Sequence, residues 1–238
     1  MAAFSNASSR HRLTTANVRF RPIADISSAR HSAGVTGIVW ISRALVHPTN
    51  QRPFRNDVAE RDHDRLIEIK QANERGEVLS PNQFPTVIFG APHALERDYQ
   101  VPDLFAAYGY WMVSEPTAVV LRQFDLGQAQ LKSVPVLKSD RQTSIGGNWF
   151  CINFGNARPL VIPEQSAPLR PGAQGRYNFP PTLADDQLVV SAEALQPPDI
   201  WVDPQLWDNF FVSHGLREAL RKAKLSQRFY LTRCRIAD

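Results

Sequence analysis

Ser213 and His214 stand side by side in FFVSHGLREALRKAK, a nucleophile type next to a base type. A serine is activated by a base that reaches its hydroxyl in space, with a third group orienting that base. Adjacency in the chain provides neither condition, and no G-x-S-x-G elbow surrounds the pair. Asp103 and Asp199 are a second candidate, since two carboxylates brought together can do acid–base work. Each follows a proline and precedes a hydrophobic pair, which also suits a turn or the start of a strand. Asp62, His63 and Asp64 are contiguous, but no further ligands stand at metal-site spacing, so they read as a solvated charge cluster. His47 and His93 are isolated. Gly146-Gly147 lacks the G-x-x-x-x-G-K-[ST] pattern of a phosphate loop and reads as a tight turn. Cys151 and Cys234 lie in strand-like runs and are expected to be buried free thiols, as in a reducing cytoplasm. No catalytic set, cofactor site or metal site is expected from these residues.

The elements that would hold them follow from patterning. GIVWISRAL, 37–45, is strand-like; 48–63 is polar and reads as loop; 64–76 is a short helix stopped by Gly76; 85–90 is a strand. LKSVPVLK and WFCINFG are strand-like runs around the Gly-Gly turn. Residues 155–182, rich in Pro and Gly, read as a long surface loop, and 186–192 as a further strand. Many short strands and a few helices, without regular alternation, predict an α+β fold with a mostly antiparallel sheet.

The stretch 198–236 resembles 102–136. Pro-Asp opens each, and an aromatic–aliphatic run ends in Val-Ser at Ser114 and at Ser213. Leu121-Arg122 then matches Leu220-Arg221, Leu126 matches Leu225, and Gln128 matches Gln227, with no gap in the helical parts. A serine kept in both, followed once by Glu115 and once by His214, is expected to do what both stretches need, which is to cap a helix. Each stretch reads as strand, capped helix, strand. They differ most where the first has AAYG and the second has VDPQLWDN, 202–209. That insertion carries Trp207 between Asp203 and Asp208. Trp is enriched in binding hot spots, and acids steer toward a basic partner, so these three residues are the candidate partner-binding site. Burial of Trp207 in the core is the competing expectation.

Charge is segregated. Residues 1–37 hold five Arg and one Asp, whereas 38–238 hold 22 basic and 22 acidic residues. The basic balance thus belongs to the first segment, and a nucleic-acid partner is not expected for the rest. Residues 1–37 lack sustained periodicity and read as a disordered basic tail or an over-extended start; a basic arm or a transit peptide fits the same composition. No run of about 18 apolar residues is present, so no membrane span is expected. Residues 38–238 are expected to be a single domain.

PDLF…YWMVSEPTAVVL…LKSVPV with NWFCINF, and DIW…FFVSHGLREALRKAKLSQRFYLTRCRI, are similar to bacterial polymorphic-toxin immunity proteins of immunity family eleven, formerly a domain of unknown function. The resemblance covers roughly 85–238. Family members often carry Thr-Gly where this chain has Ser226-Gln227. The resemblance implies a cytoplasmic protein that binds and occludes a cognate protein toxin, without catalysis and without a cofactor. The alternative from a different class is a hydrolase or transferase using Ser213 and His214 or the pair Asp103 and Asp199.

Overall fold

The computed structural model describes residues 37–237 apart from 167, 168, 179 and 181. The tail expected over 1–37 therefore lies outside the described residues, save for Gly37.

Short strands punctuated by helices run along the chain. Val39–Ser42 is β1 and Phe54–Asn56 is β2; helices α1 (Asp57–Arg61) and α2 (His63–Glu74) follow, then β3 (Ile88–Gly90). Next, β4 (Leu104–Ala107) and β5 (Tyr110–Ser114) form a hairpin that runs straight into α3 (Glu115–Leu121). Its turn is tight because Tyr108 and Gly109 both take positive φ, the backbone that matches strand twist in two-residue hairpins. Strands β6 (Gln130–Ser133), β7 (Val136–Leu137) and β8 (Trp149–Asn153) come next. Pro135 separates β6 from β7, so LKSVPVLK serves two sheets rather than one. Beyond them lie β9 (Arg170–Pro171), β10 (Tyr177–Asn178), β11 (Val189–Val190), β12 (Ile200–Trp201), β13 (Phe210–Ser213), α4 (His214–Lys222) and β14 (Leu231–Ile236).

The class is α+β with mostly antiparallel pairing. A four-stranded sheet has the order β4-β5-β8-β6, and a five-stranded sheet the order β11-β14-β1-β13-β12. Two smaller sheets, β2-β3-β7 and β9-β10, complete the set among the described residues. Only β3 with β7 and β11 with β14 pair in parallel between named strands.

The two larger sheets share one plan. Leu104 stands opposite Val113, and Ile200 opposite Val212. The amide of Ser114 donates to the carbonyl of Asp103 (3.0 Å), and that of Ser213 to the carbonyl of Asp199 (2.9 Å). Beyond the hairpin comes a central strand, β8 in one sheet and β1 in the other, and beyond that the strand after the helix. The central strand follows its hairpin in the chain in the first sheet and comes from the N-terminal side in the second. Val113 faces Phe150 and Val212 faces Trp40; two residues along, Ile152 faces Leu131 and Ser42 faces Leu231. Leu131 thus takes the place of Leu231, 100 positions on, whereas Ser114 and Ser213 are 99 apart. The gapless match of the helices therefore gains one residue before the last strand.

Alternation along these strands divides the apolar side chains between cores. Leu104, Trp111 and Val113 meet Ile200, Phe210 and Val212 in one central core, together with Leu121 of α3 and Leu216 and Leu220 of α4. The opposite faces go to separate cores. Phe105 and Met112 pack with Leu66 and Ile69 of α2, and Trp201 and Phe211 pack with Leu160 and Val190.

Two expectations change. Residues 48–63 are not simply loop, because β2 and α1 lie within them and Phe54 and Val58 are buried. The stretch 155–182 is not simply surface: Leu160, Val161 and Arg176 are buried, and Val161 bridges to Val190. Pro and Gly mark irregular backbone, but irregular backbone also lines cores when its polar groups find partners.

Candidate protein-binding site

The loop 202–209 joins β12 to β13, and its shape is set by two buried polar side chains. Asp203 is 0 % exposed. One carboxylate oxygen accepts from the amides of Leu160 (2.8 Å) and Val161 (2.7 Å), and the other from the amide of Gln205 (2.9 Å). Burial pushes the Asp203 pKa up, and the amide hydrogen bonds oppose that shift by favouring the anion. Asn209 closes the loop from the other end. Its Oδ1 accepts from the Asp203 amide (2.9 Å), while its Nδ2 donates to the carbonyls of Asp203 and Leu206 (both 3.0 Å). Leu206 is driven fully into the third core. Asp203 therefore lies inside the loop, holding its shape, and does not reach the surface as a contact residue would.

Trp207 and Asp208 are what this frame presents outward. Trp207 is half-buried and belongs to none of the hydrophobic cores, so the expectation of core burial does not hold for it. Its amide donates to the carbonyl of Tyr177 (3.0 Å), and its ring carries the Arg176 guanidinium 3.7 Å from the centroid. Cation–π stacking of this kind fixes the indole and covers one of its faces, leaving Trp207 half-buried. Arg176 also donates to the carbonyl of Leu206 (2.5 Å), tying the β9–β10 segment to the loop. Asp208 is half-buried in a left-handed backbone (φ 46°), a conformation Asp tolerates better than most residues.

The last turn of α2 completes the site. Glu74 is buried, and Lys70 one turn back holds it at 3.0 Å. Burial raises the Glu74 pKa; Lys70 opposes this and Asp208 adds to it. Burial lowers the Arg176 pKa, against which Glu74 and Asp208 act. Gly76 has φ +75°, and a Cβ there would stand 2.6 Å from Val202, so only glycine lets the end of α2 approach the base of the loop. Arg176, Glu74 and Gly76 were not legible as site residues. Arg176 lies in a stretch read as surface loop, and nothing local links 74–76 to 202–208.

The remaining candidates each take a partner of their own. Ser213 Oγ accepts from the Leu216 amide (3.2 Å) as the N-cap of α4, and His214 Nδ1 accepts from the Trp40 indole (3.3 Å). Among the described residues no hydrogen bond joins the Ser213 and His214 side chains. Asp103 accepts from the Ser114 hydroxyl (2.6 Å), and Asp199 from the Asp125 amide (2.9 Å). Asp62 caps α2 through the Arg65 amide (2.9 Å), and the His63 ring lies 6.0 Å from that of Tyr108. Cys151 and Cys234 are buried free thiols whose pKa burial pushes up. Among the described residues no group of three or more His, Cys, Asp or Glu is placed to hold a metal, and no helix is long and apolar enough to cross a membrane.

Fold and loop together define an α+β protein, built around two larger sheets, that displays an indole and a carboxylate on a hydrogen-bonded loop. The model of the immunity protein family (Imm11) matches residues 49–230, more than half of the chain, and the chain belongs to that family. The match begins well before residue 85, so α1 and α2 lie within the family region. It ends at Tyr230, leaving β1 and β14, neighbours in the five-stranded sheet, outside it. No curated protein matches the chain.

Proposed function

We propose that this protein is a cytoplasmic immunity protein that neutralises a cognate protein toxin by binding and occluding it. Membership of the immunity protein family carries this reading. Residues 38–238 form the binding domain, built from two copies of one module, 102–136 and 198–236. The loop 202–209 is its contact element: Trp207 offers the anchor, Asp208 attracts a basic partner surface, and Asp203 holds the loop in shape.

The test is protection. The reading frame immediately upstream, where it encodes a toxin, is expressed in cells with and without this chain, and binding is titrated with an active-site-silenced form of that toxin. Survival with the chain, and a complex in solution, are expected. Trp207→Ala is expected to weaken the complex by about 2 kcal/mol while leaving the melting temperature unchanged. Death of the co-expressing cells together with no complex would overturn the reading.

A further inference from the structure

Helix α2 is poised between the tips of the two hairpins. At its start, a Cβ on Gly109 would meet Leu66 at 3.1 Å and the Tyr108 ring lies beside His63, while the Asn56 side chain, which caps α1 just upstream, donates to the Tyr108 carbonyl (2.9 Å). At its end, Glu74 neighbours Asp208, and Gly76 backs onto Val202. Twelve residues of helix span about 18 Å, the scale of a protein contact patch. Counting back from Ser114 and Ser213, Tyr108 and Trp207 occupy the same position, so each hairpin presents an aromatic ring at one end of α2.

Between these rings the helix shows water a mixed face. Leu66, Ile69 and Asn73 turn inward. His63, Ile67 and Lys70 form the exposed flanking stripe at i, i+4 and i+7, which runs on to the buried Glu74. Ile67 is 40 % exposed and Tyr108 46 %. With Val78 just beyond the last turn, they make three of the six exposed large hydrophobics among the described residues, gathered on one element and its immediate contacts. Such gathering marks an interaction surface more than scattered apolar residues do. The charge is equally uneven. Residues 57–77 hold seven acids and four bases, although the domain as a whole is balanced. Arg61, Arg65, Lys70 and Arg75 each already pair with an acid of this segment.

We infer that the outer face of α2, with Tyr108 at one end and Trp207 at the other, is the surface on which the partner docks, and that the partner presents a basic protein face. Exposed apolar and aromatic side chains supply the anchors, and the acidic excess selects the sign of what they meet. The inference rests on the immunity reading and says where on the domain it is carried out.

Three variants test it against the silenced toxin. Tyr108→Asn with Ile67→Lys removes the anchors, and Asn suits the left-handed backbone at 108. Asp64→Lys with Glu68→Lys inverts the exposed charge. Glu193→Lys, an exposed acid on the turn Ala192–Leu195, is the control. Thermal melts confirm that each variant is folded before binding is scored. The first pair is expected to weaken binding at least about tenfold, chiefly by faster dissociation. The second is expected to slow association and flatten its dependence on salt. The control is expected to bind as wild type. If wild type binds the toxin and both pairs bind within about twofold of it, the docking face is wrong and the immunity reading stands. If wild type neither binds nor protects, both fall.

Discussion

Asp203 and Glu74 are buried acids with opposite surroundings, and the difference predicts opposite responses to neutralisation. Asp203 has three amides aimed at its two oxygens. Asn there keeps one acceptor and turns an amide donor toward backbone N–H. Asp203→Asn is therefore expected to cost about 1–3 kcal/mol in urea denaturation, the range for leaving buried donors unpaired. Glu74 has Lys70 on one side and Asp208 on the other, and burial raises its pKa above the ordinary 4.5. A raised folded pKa means that the native state binds its proton more tightly than the unfolded state. Stability from this group then falls as pH rises from about 4.5 through the raised value. Glu74→Gln has no such proton to lose. Relative to wild type it is expected to gain stability as pH rises above the ordinary 4.5, read as the difference between urea midpoints; a difference that does not change with pH would show that Glu74 titrates alike folded and unfolded.

At the scale of elements, two serines begin two helices in the same way, yet they are not interchangeable. Ser213 Oγ accepts from Leu216 and is half-exposed, so Ser213→Ala is expected to cost about 1 kcal/mol, and Ser213→Asp to cap as well as serine. Ser114 accepts from the Thr117 amide (3.4 Å) but also donates its own proton to Asp103. A carboxylate at 114 would replace that donor with an acceptor, setting a second carboxyl group against Asp103 at a part-buried site. Ser114→Asp is therefore expected to destabilise by more than Ser114→Ala, reversing the order at 213. Equal tolerance of Asp at both positions in thermal melts would dismiss a role for the Asp103 contact.

On the scale of the whole molecule, the central core is shared. Leu121 and Leu220, equivalent in their helices, pack in one cluster with both hairpins. Neither half can lose this core alone. Leu220→Ala, at a fully buried site, is expected to cost about 2–5 kcal/mol. Its unfolding is expected to remain one transition, coincident by far-UV circular dichroism and tryptophan fluorescence. Two separated transitions would mean that the halves are held chiefly by their outer cores.

The α+β class, the caps at Ser114 and Ser213 and the positive φ of Gly146 and Gly147 were legible in the sequence, because each depends on neighbours within a few residues. Periodicity, a capping side chain and a positive φ are local requirements, and the run YGYWMVSEP, 108–116, carries all three. The matched stretches 102–136 and 198–236 could be aligned for the same reason. What the chain could not state locally was decided by tertiary structure. Asp203 looked like an exposed acid beside a tryptophan, and its burial depends on amides 42 and 43 residues away. Trp207 stands half-buried outside the cores with Arg176 stacked on it, and α2 meets both hairpins where Leu66 and Gly76 fit against Gly109 and Val202. Those contacts join segments remote in sequence. Their energies come from burial and from hydrogen bonds that exist only once the sheets have closed around the central core.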